Sequence, residues 1–240
     1  MIVSFPWYDL PEVQWANDHL FRATGLPGEL NRTLTPSETW HRPDLLLSQA
    51  CGLDLFLTDA PISPIAVPVF DLDCPPGYYY SYIVGDPTGD VAAVNSRTSR
   101  SGLSALFEIC SPTNVHITGS HVASLSALRA GTAAVAAIDA VTWHILERSA
   151  PEHLDGIRIA VQSPAMTAPP FVCRRGSSTS DIIDSLSSAF AEPSVAHTAL
   201  GIRAIKPVTL SDYDPVLEEY LRIAQCLPAN CAPPATATHT

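Results

Sequence analysis

A chain of 240 residues, 46% hydrophobic and 15% charged, holds enough apolar material for one large domain or two lobes. Its 13 basic against 24 acidic residues leave a formal charge of −11, which argues against nucleic acid or an anionic membrane surface as partner. No apolar run approaches the ~20 residues of a membrane span. The six cysteines show neither a CxxC pair nor zinc-like His/Cys spacing, so free thiols are expected, with no metal and no cofactor.

The opening MIVSFPWYDLP lacks the basic segment, long apolar stretch and small-residue cleavage site of an export leader, and reads as a strand. That strand, residues 2–5, is ended by Pro6 and delivers Trp7, Tyr8 and Asp9 at its carboxyl end. Val13, Ala16, Leu20 and Phe21 have helical spacing, closed by Gly25. Residues 29–34 predict a second strand, and 44–50 a short helix stopped by Gly52. Residues 53–57 and 65–70 are apolar and proline-bounded, and 78–84, rich in tyrosine and β-branched residues, predict a strand. The turn cluster Gly85-Asp86-Pro87-Thr88-Gly89-Asp90 follows.

Beyond it the pattern alternates. Strand 91–95 leads to a helix near 103–109, strand 115–118 to a helix over 122–130, and strand 133–138, ending at Asp139, to a helix near 141–147. Strand 157–161 precedes residues 163–170, where three prolines suggest a second crossover. Strand 171–173 and helices near 180–190 and 214–223 complete the chain, and the tail LPANCAPPATATHT reads as disordered. Alternation of this kind predicts an α/β architecture with mainly parallel sheets. Two crossovers around a middle block predict one lobe from 1–86 plus 168–226, a second from 87–167, and a tail over 227–240. Ligands of such sheets sit outside the carboxyl ends of strands, where Tyr8, residues 95–101 and Asp139 fall.

The richest stretch chemically is NSRTSRSGLSALFEICS, residues 95–111. A strand that feeds a Ser/Gly turn and then a helix aims free N–H groups and the positive end of a helix dipole at one point. Ser99 and Ser101 would add hydroxyl donors, and Gly102 would let the backbone approach a phosphate, phosphonate, sulfonate or carboxylate. The same residues equally suit a helix cap with no ligand. Asp139 carries the same ambiguity, as an N-cap or as a carboxylate facing the cleft.

The block GSHVASLSALRAGTAAVAAIDAVTW (119–143) resembles the "G-x-H … A-v-x-x-G-x-A-D-v-a-a-I-D" segment of the phosphate/phosphonate-binding proteins of ABC transporters. Ser99-Arg100-Ser101-Gly102 is similar to that family's S-x-S-G anion loop, and Tyr79-Tyr80-Ser81-Tyr82-Ile83-Val84 to its Y-x-S-x-I-V-V strand before the first crossover. The chain departs from the pattern at Ala134, where the family often has an acid. The resemblance implies a two-lobed type II periplasmic-binding-protein-like fold with a central cleft. It implies ligand contacts from Ser99, Ser101, Gly102 and His121, with imidazolium charge near pH 6–7 adding attraction. Tyr8 and Tyr79 are expected to close over the ligand from the first lobe, with a polar contact from Gln49 or Ser48 at the end of the 44–50 helix.

Arg100, between two inward serines, is expected to face solvent. Trp7 and Trp143 are expected in the core, and His41, His144, His153 and His197 on the surface. If Asp139 lines the same cleft as the anion loop, the ligand is expected to be zwitterionic, like an aminoalkylphosphonate.

The leading expectation is therefore a solute-binding protein, or a descendant of one, that closes on a small oxyanion without performing chemistry. If exported, it would act in the periplasm with an ABC permease. The missing leader favours a cytoplasmic protein, and with it two alternatives on the same fold: a chorismate-dehydratase-like enzyme or a ligand sensor.

Overall fold

The computed structural model describes residues 1–231. Its strands in chain order are β1 (Ile2–Val3), β2 (Glu29–Leu30), β3 (Leu45–Gln49), β4 (Ile62–Phe70), β5 (Tyr78–Tyr79), β6 (Ser81–Gly85), β7 (Val91–Val94), β8 (Asn114–Ile117), β9 (Val135–Asp139), β10 (Ile159–Gln162), β11 (Met166–Thr167), β12 (Phe171–Arg174) and β13 (Ile202–Pro207). The helices are α1 (Gln14–Thr24), α2 (Pro36–Trp40), α3 (Asp54–Leu57), α4 (Ala105–Phe107), α5 (His121–Arg129), α6 (Ala140–Ser149), α7 (Ser180–Ser188), α8 (Val195–Leu200) and α9 (Asp214–Ala224).

Two sheets carry the architecture. One has six strands in the order β13-β4-β12-β3-β1-β2, the other five in the order β10-β6-β9-β7-β8. Pairing is mixed, not mainly parallel as the alternation predicted. Only β1 with β2 and β3, and β7 with β8 and β9, run parallel, while β4, β6, β10, β12 and β13 pair antiparallel. The difference arises because β6 and β12 enter their sheets directly from the crossovers, with no helix to turn them round.

Between the sheets, β5 and β11 pair as a two-stranded ribbon, Tyr79 opposite Met166 and Tyr78 opposite Thr167. Because β6 already belongs to the five-stranded sheet, the first crossing falls at Tyr80, ahead of the turn cluster expected to mark it. The ribbon is tied to the C-terminal segment, where Tyr213 Oη donates to Ala168 O at 2.8 Å and Thr167 Oγ1 to Asp212 O at 2.9 Å.

Several local readings change. Residues 44–50 form β3 instead of a helix: the strand lies between β1 and β12, buried on both faces, so its LLLSQ run lacks the alternation that marks a half-exposed strand. The predicted strand over 78–84 is broken at Tyr80 into β5 and β6. The helix near 103–109 begins earlier, as one π-helical turn over Arg100–Ser104 that runs into α4. Part of the tail is ordered, with a 3-10 turn over Ala229–Cys231 and Cys231 buried, and residues 232–240 lie outside the described residues. Four elements went unread: α2, with a Thr35/Glu38 capping box and Pro36 at its first turn, α8, β11 and β13.

Candidate functional site

In the five-stranded sheet, β8, β7 and β9 are adjacent and parallel, so their carboxyl ends open on the same side. Each runs into a helical segment whose first N–H groups need acceptors. The caps are Ser99 for the π-helical turn, Ser120 for α5 and Asp139 for α6. All three caps line one cavity of about 590 Å³. Three helical N-termini therefore point partial positive charge into one space.

The serine loop is wired as a chain of donors. Gly102 N–H donates to Ser99 Oγ at 2.9 Å, Ser99 Oγ lies 3.4 Å from Ser101 Oγ, and Ser101 Oγ lies 3.0 Å from His121 Nε2. His121 Nδ1 is 3.1 Å from Ala137 O, an acceptor only, so Nδ1 carries the proton and Nε2 accepts from the Ser101 hydroxyl. Burial pushes the imidazole down to about 4, with the Ala137 carbonyl opposing. His121 is thus neutral at physiological pH, and the expected imidazolium attraction is absent because the ring is desolvated.

From the other side comes Tyr8, the one non-glycine residue with a left-handed backbone, φ 63°, among the described residues. Such strain persists where the surroundings over-determine it. Here the buried Asn17 side chain donates to Tyr8 O at 3.2 Å and to Asp9 Oδ1 at 2.9 Å, and Arg32 grips the Asp9 carboxylate. So held, Tyr8 Oη donates to Asp139 Oδ2 at 2.9 Å across the cavity. Asp139 Oδ1 meanwhile accepts from Val141 and Thr142 N–H at 2.7 and 3.2 Å. The two readings of Asp139 are not exclusive: one oxygen caps α6 and the other faces the cavity.

Burial raises the Asp139 carboxyl from 3.8 to about 6, opposed by the Tyr8 hydroxyl and the two backbone donors. The folded protein therefore holds this proton more tightly than the unfolded chain, and the associated stability, full below pH ~4, is lost as pH rises through about 6. Asp139→Asn keeps a good cap. It is expected to stabilise the ligand-free protein by about 1–2 kcal/mol at pH 8 and not at pH 4, read by denaturant unfolding at both values.

Six of the eight residues singled out in the sequence line this cavity: Tyr8, Tyr79, Ser99, Ser101, His121 and Asp139. The other two stand behind it. Gln49, at the end of β3 and not of a helix, accepts the Trp7 backbone N–H at 3.0 Å. Gly102 spends its N–H on Ser99, and a Cβ there would collide with Asn95 Oδ1, so the glycine makes room for Asn95 and not for a ligand. Ser48, beside Gln49, is fully buried in β3.

Several lining residues were missed or misplaced: Glu12, Cys51, Asp54 and Ser120 were not singled out, Asn95 was placed at the strand end without a role, Trp7 was expected in the core and His153 on the surface. Adjacency to Tyr8 at one strand end was the available signal for Trp7, whereas Asp54, on α3, had none nearby. Asp54 is also pushed up to about 6 by burial, against hydrogen bonds from Thr98 and the Cys51 backbone. Among the histidines, His153 lines the cavity and His197 is buried against the Phe190 ring, while Trp143 is in the core as expected.

Arg100 departs furthest from expectation. It is 1% exposed, and its Nε and Nη2 each donate to Glu219 at 3.0 Å, with a further bond from Nη2 to Pro164 O at 2.8 Å. The turn places its side chain beneath the loop toward α9, where Glu219 is 2% exposed. Among the described residues no His/Cys/Asp/Glu group is arranged to hold a metal, and no helix is long and apolar enough to cross a membrane.

The sequence profile of the family described as "ABC transporter, phosphonate, periplasmic substrate-binding protein" matches residues 92–219. Among solved structures, PhnD1 from Prochlorococcus marinus in complex with methylphosphonate has a TM-score of 0.71 at 13% identity, over 93% of this chain and 97% of that one. A binding-protein component of an ABC phosphonate transporter from Pseudomonas aeruginosa has a TM-score of 0.70 at 12% identity, over 94% and 87%. A Xanthomonas citri protein bound to ATP has a TM-score of 0.61 at 12% identity, over 94% and 97%. At these identities the likeness is one of fold, the two-lobed periplasmic-binding-protein fold. Among curated proteins nothing matches.

Proposed function

This chain belongs to the family of periplasmic substrate-binding proteins of phosphonate ABC transporters, and on that premise we propose that it binds a small phosphonate-type oxyanion between its lobes and performs no chemistry on it. The observation that carries this reading is the convergence of Ser99, Ser120 and Asp139, caps of three helical segments after three adjacent parallel strands, on one cavity. Ser99 and Ser101 would turn their hydroxyls to the oxyanion, as charge-assisted bonds stronger than the one between them. Tyr8 and Tyr79 supply ring walls and phenolic donors.

We take the lobes to be those read from the sequence, 87–167 against 1–86 plus 168–226, with the first boundary drawn back to Tyr80 so that β6 joins its sheet. Closure would bend the β5–β11 ribbon, and the closed form would present both lobes to an ABC permease. A ligand that also bears an ammonium group would find Asp54 and Glu12 in the cavity wall.

Ser101 and His121 resemble a nucleophile and its base in distance only. A ring held near 4 is too weak a base at neutral pH, and no carboxylate orients it. Titration calorimetry with methylphosphonate tests the proposal. One-to-one binding is expected, and ligand at a hundred times its Kd should add about 2.7 kcal/mol to unfolding. No heat and no stabilisation with methylphosphonate, phosphate or 2-aminoethylphosphonate would overturn it.

A further inference from the structure

The cavity is larger than an oxyanion needs. Its volume of about 590 Å³ falls among pockets that take drug-sized molecules, about 300–1,000 Å³. That is the room of about twenty waters at about 30 Å³ each, far more than a methylphosphonate fills.

The long direction of the cavity follows α6. Asp139, Thr142 and Leu146 all line it, and spacings of three and four residues put them on one face of that helix. Seven residues at about 1.5 Å each place Leu146 about 10 Å along the axis from the Asp139 cap. The oxyanion end lies at the cap. His121, which holds Ser101, also bonds Ala137 O, two residues before Asp139.

Away from that end the walls are apolar. Val122, Thr142 and Leu146 come from the helices of the five-stranded sheet, and Trp7, Leu10 and Pro11 from the segment after β1. Leu10 and Val122 both pack on the apolar cluster that contains Leu146. A residue from one end of the chain is thereby brought against the helices of the other sheet, and the far part of the cavity is covered.

Charge narrows the choice further. No lysine or arginine is among the lining residues, whereas three carboxyls are. Asp139 stands at the oxyanion end, Asp54 is hydrogen-bonded to Thr98 of the serine loop, and Glu12 follows Pro11. A second anionic group on a ligand would meet these carboxyls and no counter-charge.

We infer that the phosphorus of the ligand carries an uncharged apolar substituent, an alkyl chain of several carbons or an arylalkyl group, which lies along α6 from Thr142 to Leu146 under Trp7 and Leu10. This rests on the phosphonate-binding reading above and adds the group on phosphorus. Fixed donors hold the head, and the tail contributes the apolar burial that a head group alone cannot make.

Titration calorimetry of the full chain with n-alkylphosphonates from methyl to octyl measures the apolar end. Every member carries the same head, so differences belong to the tail. Affinity should rise about fourfold per methylene and level off once the chain has spanned the two turns to Leu146. Benzylphosphonate should bind at least about a hundredfold more tightly than methylphosphonate. Phosphonoacetate, with a carboxylate as its tail, should bind at least about tenfold more weakly than propylphosphonate. Leu10→Asn, at a half-buried position, should cut the benzyl-over-methyl ratio about tenfold.

A flat or falling affinity across the series would overturn the inference and leave the phosphonate reading intact. So would tighter binding of 2-aminoethylphosphonate than of propylphosphonate, which has the same shape, or a ratio untouched by Leu10→Asn. If no member of the series binds, the phosphonate reading fails and this inference with it. The wild-type series decides by itself if the variant does not fold.

Discussion

Replacing Arg100 by methionine is expected to cost about 3–5 kcal/mol of folding stability, because it leaves the Glu219 carboxylate buried and uncompensated. Nothing in the turn itself forces so large an effect; it arises from desolvation. Both side chains are almost wholly out of water, and the two 3.0 Å bonds between them supply most of what the carboxylate has in place of solvent. The pair as a whole contributes far less than either partner's removal suggests, since its attraction largely offsets the cost of burying two charges.

Arg100→Met with Glu219→Leu should therefore recover most of the loss, and urea unfolding of the two single variants and the double completes the cycle. A loss below about 1 kcal/mol for Arg100→Met would mean that water reaches Glu219. Binding should suffer as well. Arg100 lies between Ser99 and Ser101, so the pair fixes the loop that carries both hydroxyls to α9.

The second large effect is on the ligand. Ser99→Ala combined with Ser101→Ala removes two charge-assisted bonds at about 1.5–3 kcal/mol each, so methylphosphonate should bind roughly a hundred- to ten-thousand-fold more weakly. The single variants separate cap from contact. Ser99 Oγ accepts the Gly102 N–H, so Ser99→Ala should also destabilise the free protein by about 1 kcal/mol. Ser101 caps no backbone N–H, so its replacement should weaken binding while costing stability only through the lost bond to His121 Nε2. Calorimetry and thermal unfolding on the three variants read both quantities. Affinity retained within a few-fold in the double variant would exclude the loop from the ligand contact.

The serine loop and Asp139 were legible because each follows an apolar strand directly, and a polar cluster in that place needs a partner whether or not a ligand exists. Of the two readings left in the sequence, cap or contact, the cap is seen at Asp139 Oδ1, while Oδ2 takes the Tyr8 hydroxyl at the cavity wall. Arg100 was not legible. Its alternation between two inward serines assumes a strand or a flat loop, whereas a helical turn sends the middle residue underneath, and its partner Glu219 is 119 positions away.

The charge state of His121 was hidden for a related reason. Burial sets it, and burial is decided by Ala137 and the rest of the sheet, not by neighbours in the chain. β3 was misread because a strand covered on both faces looks, in five residues, like a buried helix.

The strand β4 has a consequence for how the molecule is made. It lies between β12 and β13, neither of which exists until about a hundred or more further residues have left the ribosome, while every strand of the five-stranded sheet comes from one continuous stretch. During synthesis ISPIAVPVF, nine residues of mostly apolar strand, must wait with both edges open, the situation in which nascent chains stick to one another. Pro64 and Pro68 withdraw two N–H groups from any premature ladder. In the finished sheet Pro64 stands opposite Val172, beside a register shift, where the lost donor is tolerated. The same two residues that look out of place in a central strand thus protect the unfinished chain. Replacing them would exchange a small gain in sheet regularity for aggregation during expression.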